Sequence, residues 1–226
     1  MKPTSQQEKK FEEERARRIL KYLFPEEYNE STLSEAPDII SVRSSIGVEV
    51  TSSMIRSVQE AMSRVSDISG KTDDMLTKIN KDNINQGRVA AIKMDTGAHL
   101  ASFVVWGNTH DIEAAYCKKL TRLNLPHYRL FNENNLFIYA WLIDDKELLN
   151  GLDAIYNKIY SLKCYLGKEI TLFGHVYIIK ENQFIKISSI NNQIKKYILS
   201  NVELSTLAHE AFTEIFGISR EDYYGS

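Results

Sequence analysis

Apolar positions recur along much of the chain at the spacing of amphipathic helices. Residues 6–24 are rich in Glu, Lys, Arg and Leu, which favour helix, and Pro25 ends this first predicted helix. Further helices are predicted where apolar residues recur at intervals of three and four. They cover residues 54–66, 73–84, 111–123, 146–162 and 202–216. Gly217 follows the last one in the position of a left-handed C-cap.

Short runs of β-branched and aromatic residues between these helices predict a sheet. The predicted strands are 38–42, 46–51, 100–106, 136–143, 169–172, 175–180 and 183–188. Ser44 and Ser45 separate the first two strands, so we expect these to pair as a hairpin. The run 100–106 is apolar like a strand buried on both faces, and 136–143 is the clearest central strand.

The order of these elements predicts an α/β fold. A chain of 226 residues with 43% hydrophobic and 26% charged residues has the composition of a globular protein, and its length suits one main domain with an appendage. We place the core in residues 1–144, with a helical insertion at about 54–98. Residues 145–226 are expected to form a C-terminal α+β extension of a helix, a β-hairpin and a last helix.

Charge and composition exclude several functional classes. The net charge of −2 and the pI near 6.2 give no overall attraction to phosphate, so contact with nucleic acid requires a local basic surface. We expect a cytoplasmic protein, because no apolar run approaches the ~18 residues of a membrane span. Cys117 and Cys164 are far apart and form no CxxC pair, which favours reduced, packed thiols. No glycine-rich phosphate loop is present, so no nucleotide cofactor is expected.

The candidate chemistry lies in the predicted hairpin. Glu35-Ala-Pro-Asp38 is followed by Gly47-Val-Glu49-Val-Thr51. Side chains alternate along a strand, so Glu49 and Thr51 share one face and the two valines share the other. Pairing of the two runs brings Asp38 beside Glu49, where the carboxylates repel unless a cation or a proton lies between them. Carboxylate oxygens of this kind suit Mg²⁺ or Mn²⁺.

These residues resemble the signature of the PD-(D/E)XK superfamily of restriction-endonuclease-like proteins. That signature is a Pro-Asp at one strand, an acid-x-Lys on the next and a preceding helix with a Glu. Asp38 matches the first acid and Glu49 the second, whereas Thr51 stands where the family has the Lys that positions or activates water. The resemblance covers about residues 12–141. It implies a mixed sheet flanked by helices, with metal-dependent phosphodiester hydrolysis of DNA or RNA.

The third acid implied by the resemblance is expected on the first helix. Positions 12, 16, 19 and 23 form one helical face and hold Glu12, Ala16, Ile19 and Leu23. A carboxylate thus interrupts an apolar stripe, which makes Glu12 the candidate. A charge in the first turn that interacts with the helix dipole explains a Glu at this position as well.

A replacement for the missing motif Lys is expected from the helix at 111–123. Lys119 shares a face there with Ile112, Ala115, Tyr116 and Leu123, so it can reach inward. The alternative is that Lys119 extends along the rim of an amphipathic helix and keeps its ammonium group in water.

Three functional hypotheses follow. The first is a nuclease in which Glu12, Asp38 and Glu49 hold Mg²⁺ or Mn²⁺, Thr51 contributes a hydroxyl and Lys119 a charge, with nucleic acid as the partner. The second is an inactive nuclease-like fold that serves as a binding or inhibitor protein with a protein partner. The third is an acidic structural protein in which Asp38 and Glu49 only bond to turn amides.

Overall fold

The computed structural model describes residues 4–86, 89–103, 110–141, 143–165 and 170–218, without the side chains of Ser57, Phe103, Cys164 and Tyr165. The chain forms two compact units. The smaller unit is Met54–Asp111, and the larger unit combines Met1–Ser53 with Ile112–Ser226.

Helices and strands are interspersed along the described chain. The helices are α1 (Ser5–Leu23), α2 (Pro25–Tyr28), α3 (Arg56–Ile68), α4 (Lys78–Asn85), α5 (Ile112–Leu123), α6 (Asp145–Tyr165) and α7 (Asn201–Phe216). The strands are β1 (Thr32–Leu33), β2 (Ile39–Ser41), β3 (Ile46–Ser52), β4 (Val89–Lys93), β5 (His99–Phe103), β6 (Glu133–Tyr139), β7 (His175–Lys180), β8 (Gln183–Ser188) and β9 (Gln193–Ile198).

A seven-stranded mixed sheet, in the order β1-β2-β3-β6-β7-β8-β9, organises the larger unit. The three central strands β3, β6 and β7 run parallel, and antiparallel pairs extend the sheet on both sides. Parallel neighbours need a crossover, and helix α5 precedes β6 as helix α6 precedes β7. The protein is therefore an α/β protein with a mixed sheet and flanking helices, as its sequence predicts.

Both faces of the sheet are buried. On one face Leu136 and Ile138 of β6 belong to an apolar cluster with residues of α5 and α6. On the other face Phe137 and Tyr139 belong to a cluster with residues of α1, such as Ile19. Successive side chains of a strand point to opposite faces, so the apolar run of β6 contributes alternate residues to the two clusters. The prediction of a central strand here is confirmed, although it begins and ends earlier than expected.

The C-terminal part of the chain continues the same sheet. Strands β7, β8 and β9 are consecutive members of it, and α7 packs against α1, with the Phe11 and Phe212 ring centroids 5.9 Å apart. Residues 145–226 thus lie in the same compact unit as residues 1–53, and residue 144 does not divide the two units. The sequence does not predict strand β9. This strand is almost entirely exposed, so no buried apolar face marks it in the sequence.

The smaller unit contains α3, α4 and a hairpin of β4 and β5 around a small core of Ile68, Leu76 and Val89. The sequence predicts only helices for this insertion, whereas the structure also contains the hairpin of β4 and β5. The prediction of a strand buried on both faces at 100–106 is wrong for its described part, since β5 belongs to a two-stranded sheet and Leu100 is 59% exposed. Residues 104–106 lie outside the described residues.

The predicted strand at 169–172 is absent at 170–172, and residue 169 lies outside the described residues. Within the described ranges, no helix combines the length and the apolar character needed to cross a membrane.

Candidate functional site

Asp38 and Glu49 are neighbours in the hairpin of β2 and β3. Ile39 pairs with Val48 in an antiparallel register, which places the preceding Asp38 beside Glu49. Both acids are buried, with 0% and 1% of their surface exposed. The backbone N–H of Val50 donates to Oδ2 of Asp38 at 2.8 Å. This bond fixes the Asp38 carboxylate against the strand that carries Glu49.

Lys119 reaches both acids from helix α5. Its Nζ atom donates to Oε2 of Glu49 at 2.5 Å and to Oδ2 of Asp38 at 3.4 Å. Lys119 is 9% exposed, so its side chain turns inward rather than along the rim of the helix. The structure therefore brings together three of the five residues singled out from the sequence.

Besides Lys119, two more side chains contact or approach the carboxylate of Glu49. The hydroxyl of Tyr128 donates to Oε1 of Glu49 at 2.5 Å, and Nη1 of Arg122 lies 3.6 Å from Oε2. Burial and the bond to Glu49 raise the pKa of Tyr128. Arg122 follows Lys119 by one helical turn, and the helical spacing of the sequence already places it near the same site. Tyr128 lies in the connection between α5 and β6, where no periodicity marks it.

Helix α1 contributes Glu13 and Lys9 on the other side of Asp38. Nζ of Lys9 lies 2.9 Å from Oε1 of Glu13 and 3.5 Å from Oδ1 of Asp38. Burial raises the pKa of Glu13, the hydrogen bond from Lys9 opposes this rise, and the charge of Asp38 adds to it. The bond to Glu13 in turn raises the pKa of Lys9. Glu13 and Asp38 are thus two neighbouring carboxylates that share one ammonium group.

Glu12 does not join this cluster. Its side chain is exposed and lines a separate cavity of about 560 Å³ with Phe11, Arg15 and Tyr139. The cavity walls partly desolvate Glu12 although its side chain reaches solvent, and this desolvation together with the charge of Glu8 raises the pKa of Glu12. The predicted face 12, 16, 19 and 23 coincides only partly with the buried face of α1. The buried residues of this helix are Glu13, Glu14, Ala16, Ile19 and Leu20, so position 13 is buried and position 12 is not.

Thr51 lies on the same strand as Glu49, two residues further along, and therefore on the same face. It is half-buried, and its hydroxyl donates to the carbonyl oxygen of Ser52 at 3.4 Å. The ammonium group next to Glu49 comes from Lys119, and position 51 offers a hydroxyl without charge.

No significant match to a protein-family model, a curated protein or a solved structure was found for this chain.

The acid and lysine cluster consists of Glu13, Asp38 and Glu49 with Lys9, Lys119 and Arg122. Its carboxylates and its cations are equal in number, so the protein itself neutralises the cluster. Carboxylate oxygens are the donors that Mg²⁺ and Mn²⁺ prefer. Across the part of the chain that the structure describes, no group of three or more His, Cys, Asp and Glu side chains is arranged to hold a metal ion. The acids fit such an ion in donor type, while the ammonium of Lys119 bridges Asp38 and Glu49.

Proposed function

We propose that this protein is a metal-dependent nuclease with Glu13, Asp38, Glu49 and Lys119 in its active site. The observation that carries the proposal is the meeting of Lys119 with two fully buried acids of the hairpin. Burying an ion costs several kcal/mol of desolvation free energy, and the attraction between buried ions often does no more than offset this cost. Stability of the fold alone is therefore a weak reason for such a cluster. On the α1 side of the same cluster, Glu13 and Lys9 have raised pKa values, and ionisable groups with shifted pKa values are concentrated at functional sites.

The resemblance to the PD-(D/E)XK superfamily supports the same proposal. Pro37-Asp38 and Glu49 match the signature, and Lys119 offers from α5 the charge that Thr51 lacks. A restriction-endonuclease-like fold is part of this proposal. It is supported by a mixed sheet with a hairpin that carries the acids, a helix before the hairpin and a helix before the central strand.

Each residue has a distinct role in the proposed reaction. Asp38, Glu49 and Glu13 would hold Mg²⁺ or Mn²⁺, and the bound ion would lower the pKa of a water molecule and offset charge on the phosphate. Lys119 orients the two hairpin acids and can donate a hydrogen bond to the reacting phosphate or water. Arg122, whose guanidinium is partly exposed beside Glu49, can form charge-assisted hydrogen bonds to a phosphate oxygen.

The direct test is cleavage of plasmid DNA, single-stranded DNA and RNA in the presence of Mg²⁺, Mn²⁺ or EDTA. We expect cleavage that depends on the divalent ion and falls by about a hundredfold or more in Asp38→Asn and Glu49→Gln. Activity that survives both substitutions would show that this cluster is not the active site.

A matched pair of variants on α1 tests the assignment of the third acid. Glu13→Gln is expected to lower cleavage, and Glu12→Gln, one residue earlier and outside the cluster, is expected to leave it unchanged. Equal loss in both variants, or loss only in Glu12→Gln, would contradict the role of Glu13.

A second candidate function is a nuclease-like fold that binds or inhibits a protein without catalysis. It is favoured by the saturation of the acids with donors of the protein itself: Val50 and Lys119 at Asp38, and Lys119 and Tyr128 at Glu49. Thermal unfolding with added Mg²⁺ or Mn²⁺ separates the two functions, because an ion that binds the folded state raises Tm. An unchanged Tm together with no cleavage would favour the binding function.

A further inference from the structure

The sheet edge formed by β7, β8 and β9 carries a polar cavity of about 240 Å³. Its lining includes His175, Lys186, Ser188, Gln193, Lys195 and Tyr197. None of its described lining residues belongs to the acid and lysine cluster, so it is a separate feature of the larger unit.

The strand register places two lysines next to each other in this cavity. Lys186 of β8 pairs directly with Lys195 of β9, and directly paired residues project from the same face of a sheet. Two like charges in this arrangement destabilise the strand pair. Burial and, to a smaller extent, the charge of Lys195 lower the pKa of Lys186. An anion between the two ammonium groups would remove the repulsion.

Lys186 is held in place by its aromatic neighbours. Its Nζ lies 4.7 Å from the ring centroid of Phe24 and 5.6 Å from that of Tyr177. Glu27 and Glu133 partly offset the lowering of its pKa, but neither acid lines the cavity. The lining itself therefore consists of cations and neutral polar groups, and among the described residues the nearest acid to the lining that forms an ion pair is Glu133, whose Oε1 lies 3.7 Å from Nε2 of His175.

Polar atoms without partners lie in the same row of the sheet. Ser188 pairs with His175 on one side and with Gln193 on the other. Oγ of Ser188 and Nδ1 of His175 are buried and have no hydrogen-bond partner among the described residues. Ser188 is only 6% exposed and is one of the residues that line the cavity. Buried polar groups are nearly always satisfied. An unsatisfied hydroxyl on the same sheet face and in the same cavity lining as two lysines therefore indicates a ligand with acceptor oxygens.

We propose that this cavity binds a phosphate group between Lys186 and Lys195, with the Ser188 hydroxyl and the Gln193 amide as further donors. The ligand is free inorganic phosphate or the terminal phosphate of a nucleotide. This inference does not depend on the proposed nuclease function, since it uses other residues and needs no metal.

Calorimetric titration of the full chain with inorganic phosphate, at constant ionic strength with chloride as the reference, tests the proposal. Saturable binding is expected, and Lys195→Met should weaken it by about tenfold or more, as for the loss of one charge-assisted contact. Lys196→Met is the matched control. It removes the same charge from the next residue of β9, whose side chain points to the opposite face, and should leave the affinity within about twofold.

A second variant separates ligand binding from folding. Ser188→Ala removes a hydroxyl that has no hydrogen-bond partner among the described residues, so it should weaken phosphate binding without lowering Tm. A lower Tm with unchanged phosphate affinity would assign the hydroxyl a structural role and overturn the proposal. The absence of saturable phosphate binding, or equal weakening by Lys195→Met and Lys196→Met, would overturn it as well.

The source of the phosphate follows from parallel titrations with adenosine monophosphate and with oligonucleotides that differ only in a 5′-phosphate. Tighter binding of the mononucleotide than of inorganic phosphate assigns a nucleotide ligand. Equal affinity assigns the free anion.

Discussion

The ammonium nitrogen of Lys119 lies 2.5 Å from Oε2 of Glu49, although 70 positions separate the two residues along the chain. Glu49 is 1% exposed and Lys119 is 9% exposed, so each charged group is stabilised by its partner because little water can reach it. Removing one partner of a buried pair leaves an uncompensated charge, which is far more costly than the pair is stabilising. The contact also ties α5 to the hairpin that holds Asp38.

Lys119→Met is therefore expected to lower the free energy of unfolding by about 3–5 kcal/mol. Lys118→Met is the control, because Lys118 is exposed on the same helix and its replacement should change stability by no more than about 0.5 kcal/mol. Urea denaturation of both variants measures the difference. Equal stability of the two variants would contradict a stabilising contact between Lys119 and Glu49. The double variant Glu49→Gln with Lys119→Met should lose less than the sum of the single changes.

Tyr128→Phe removes one donor from the buried carboxylate of Glu49. The free energy of unfolding should fall by about 1–3 kcal/mol, since Oε1 is left without this hydrogen bond. Tyr116→Phe is the matched control: the Tyr116 hydroxyl is buried and has no hydrogen-bond partner among the described residues. Its loss should be neutral or slightly stabilising. A larger loss in Tyr116→Phe than in Tyr128→Phe would refute this assignment of the two hydroxyls.

The raised pKa of Glu13 predicts a specific pH dependence. The folded state holds the Glu13 proton more strongly than the unfolded chain, whose ordinary value is 4.5. The stability gained from this proton is present below that value and is lost as pH rises through the folded-state pKa. Glu13→Gln removes the effect, so its stability relative to the wild type should increase as pH rises from about 4.

Glu203→Gln provides a control of opposite sign. Hydrogen bonds from Tyr22 and from Ser200 lower the pKa of Glu203, so its contribution to stability is lost as pH falls. Urea unfolding at a series of pH values compares both variants with the wild type. Curves for Glu13→Gln that run parallel to those of the wild type would rule out the raised pKa.

Gly47→Ala is expected to disturb the hairpin at Asp38. A Cβ atom at position 47 would lie 2.6 Å from Cγ of Pro37 and 2.8 Å from Cδ2 of Phe131, both shorter than van der Waals contact. Overpacking of this kind costs about 1–3 kcal/mol. Because Pro37 directly precedes Asp38, cleavage activity should fall together with Tm. A variant with wild-type Tm and activity would show that the hairpin adapts without moving Asp38.

Local patterns in the sequence were sufficient to predict much of the secondary structure. Strands β7 and β8 have the predicted bounds, because alternation and turn residues act over a few positions. The alternation around Glu49 was also correct: Val48 and Val50 lie in the cluster with α1 residues, and Glu49 points to Lys119. Helix α7 ends at Phe216 and is capped by Gly217, whose φ of 69° is in the left-handed region that favours glycine.

Tertiary structure decided which residues meet. Glu13 rather than Glu12 approaches Asp38, because the orientation of α1 is set by its packing on the sheet rather than by its own periodicity. Tyr128 comes from an irregular segment, so no pattern predicted its bond to Glu49. The strand order that continues the sheet through β7, β8 and β9 depends on pairing between distant segments. By itself, then, the sequence determined most helices of the larger unit, the central strands and the alternation of side chains around Glu49, because those follow from local backbone geometry. Only the tertiary structure decided the composition of the cluster and the pairing of Lys186 with Lys195, because these contacts depend on how distant elements pack.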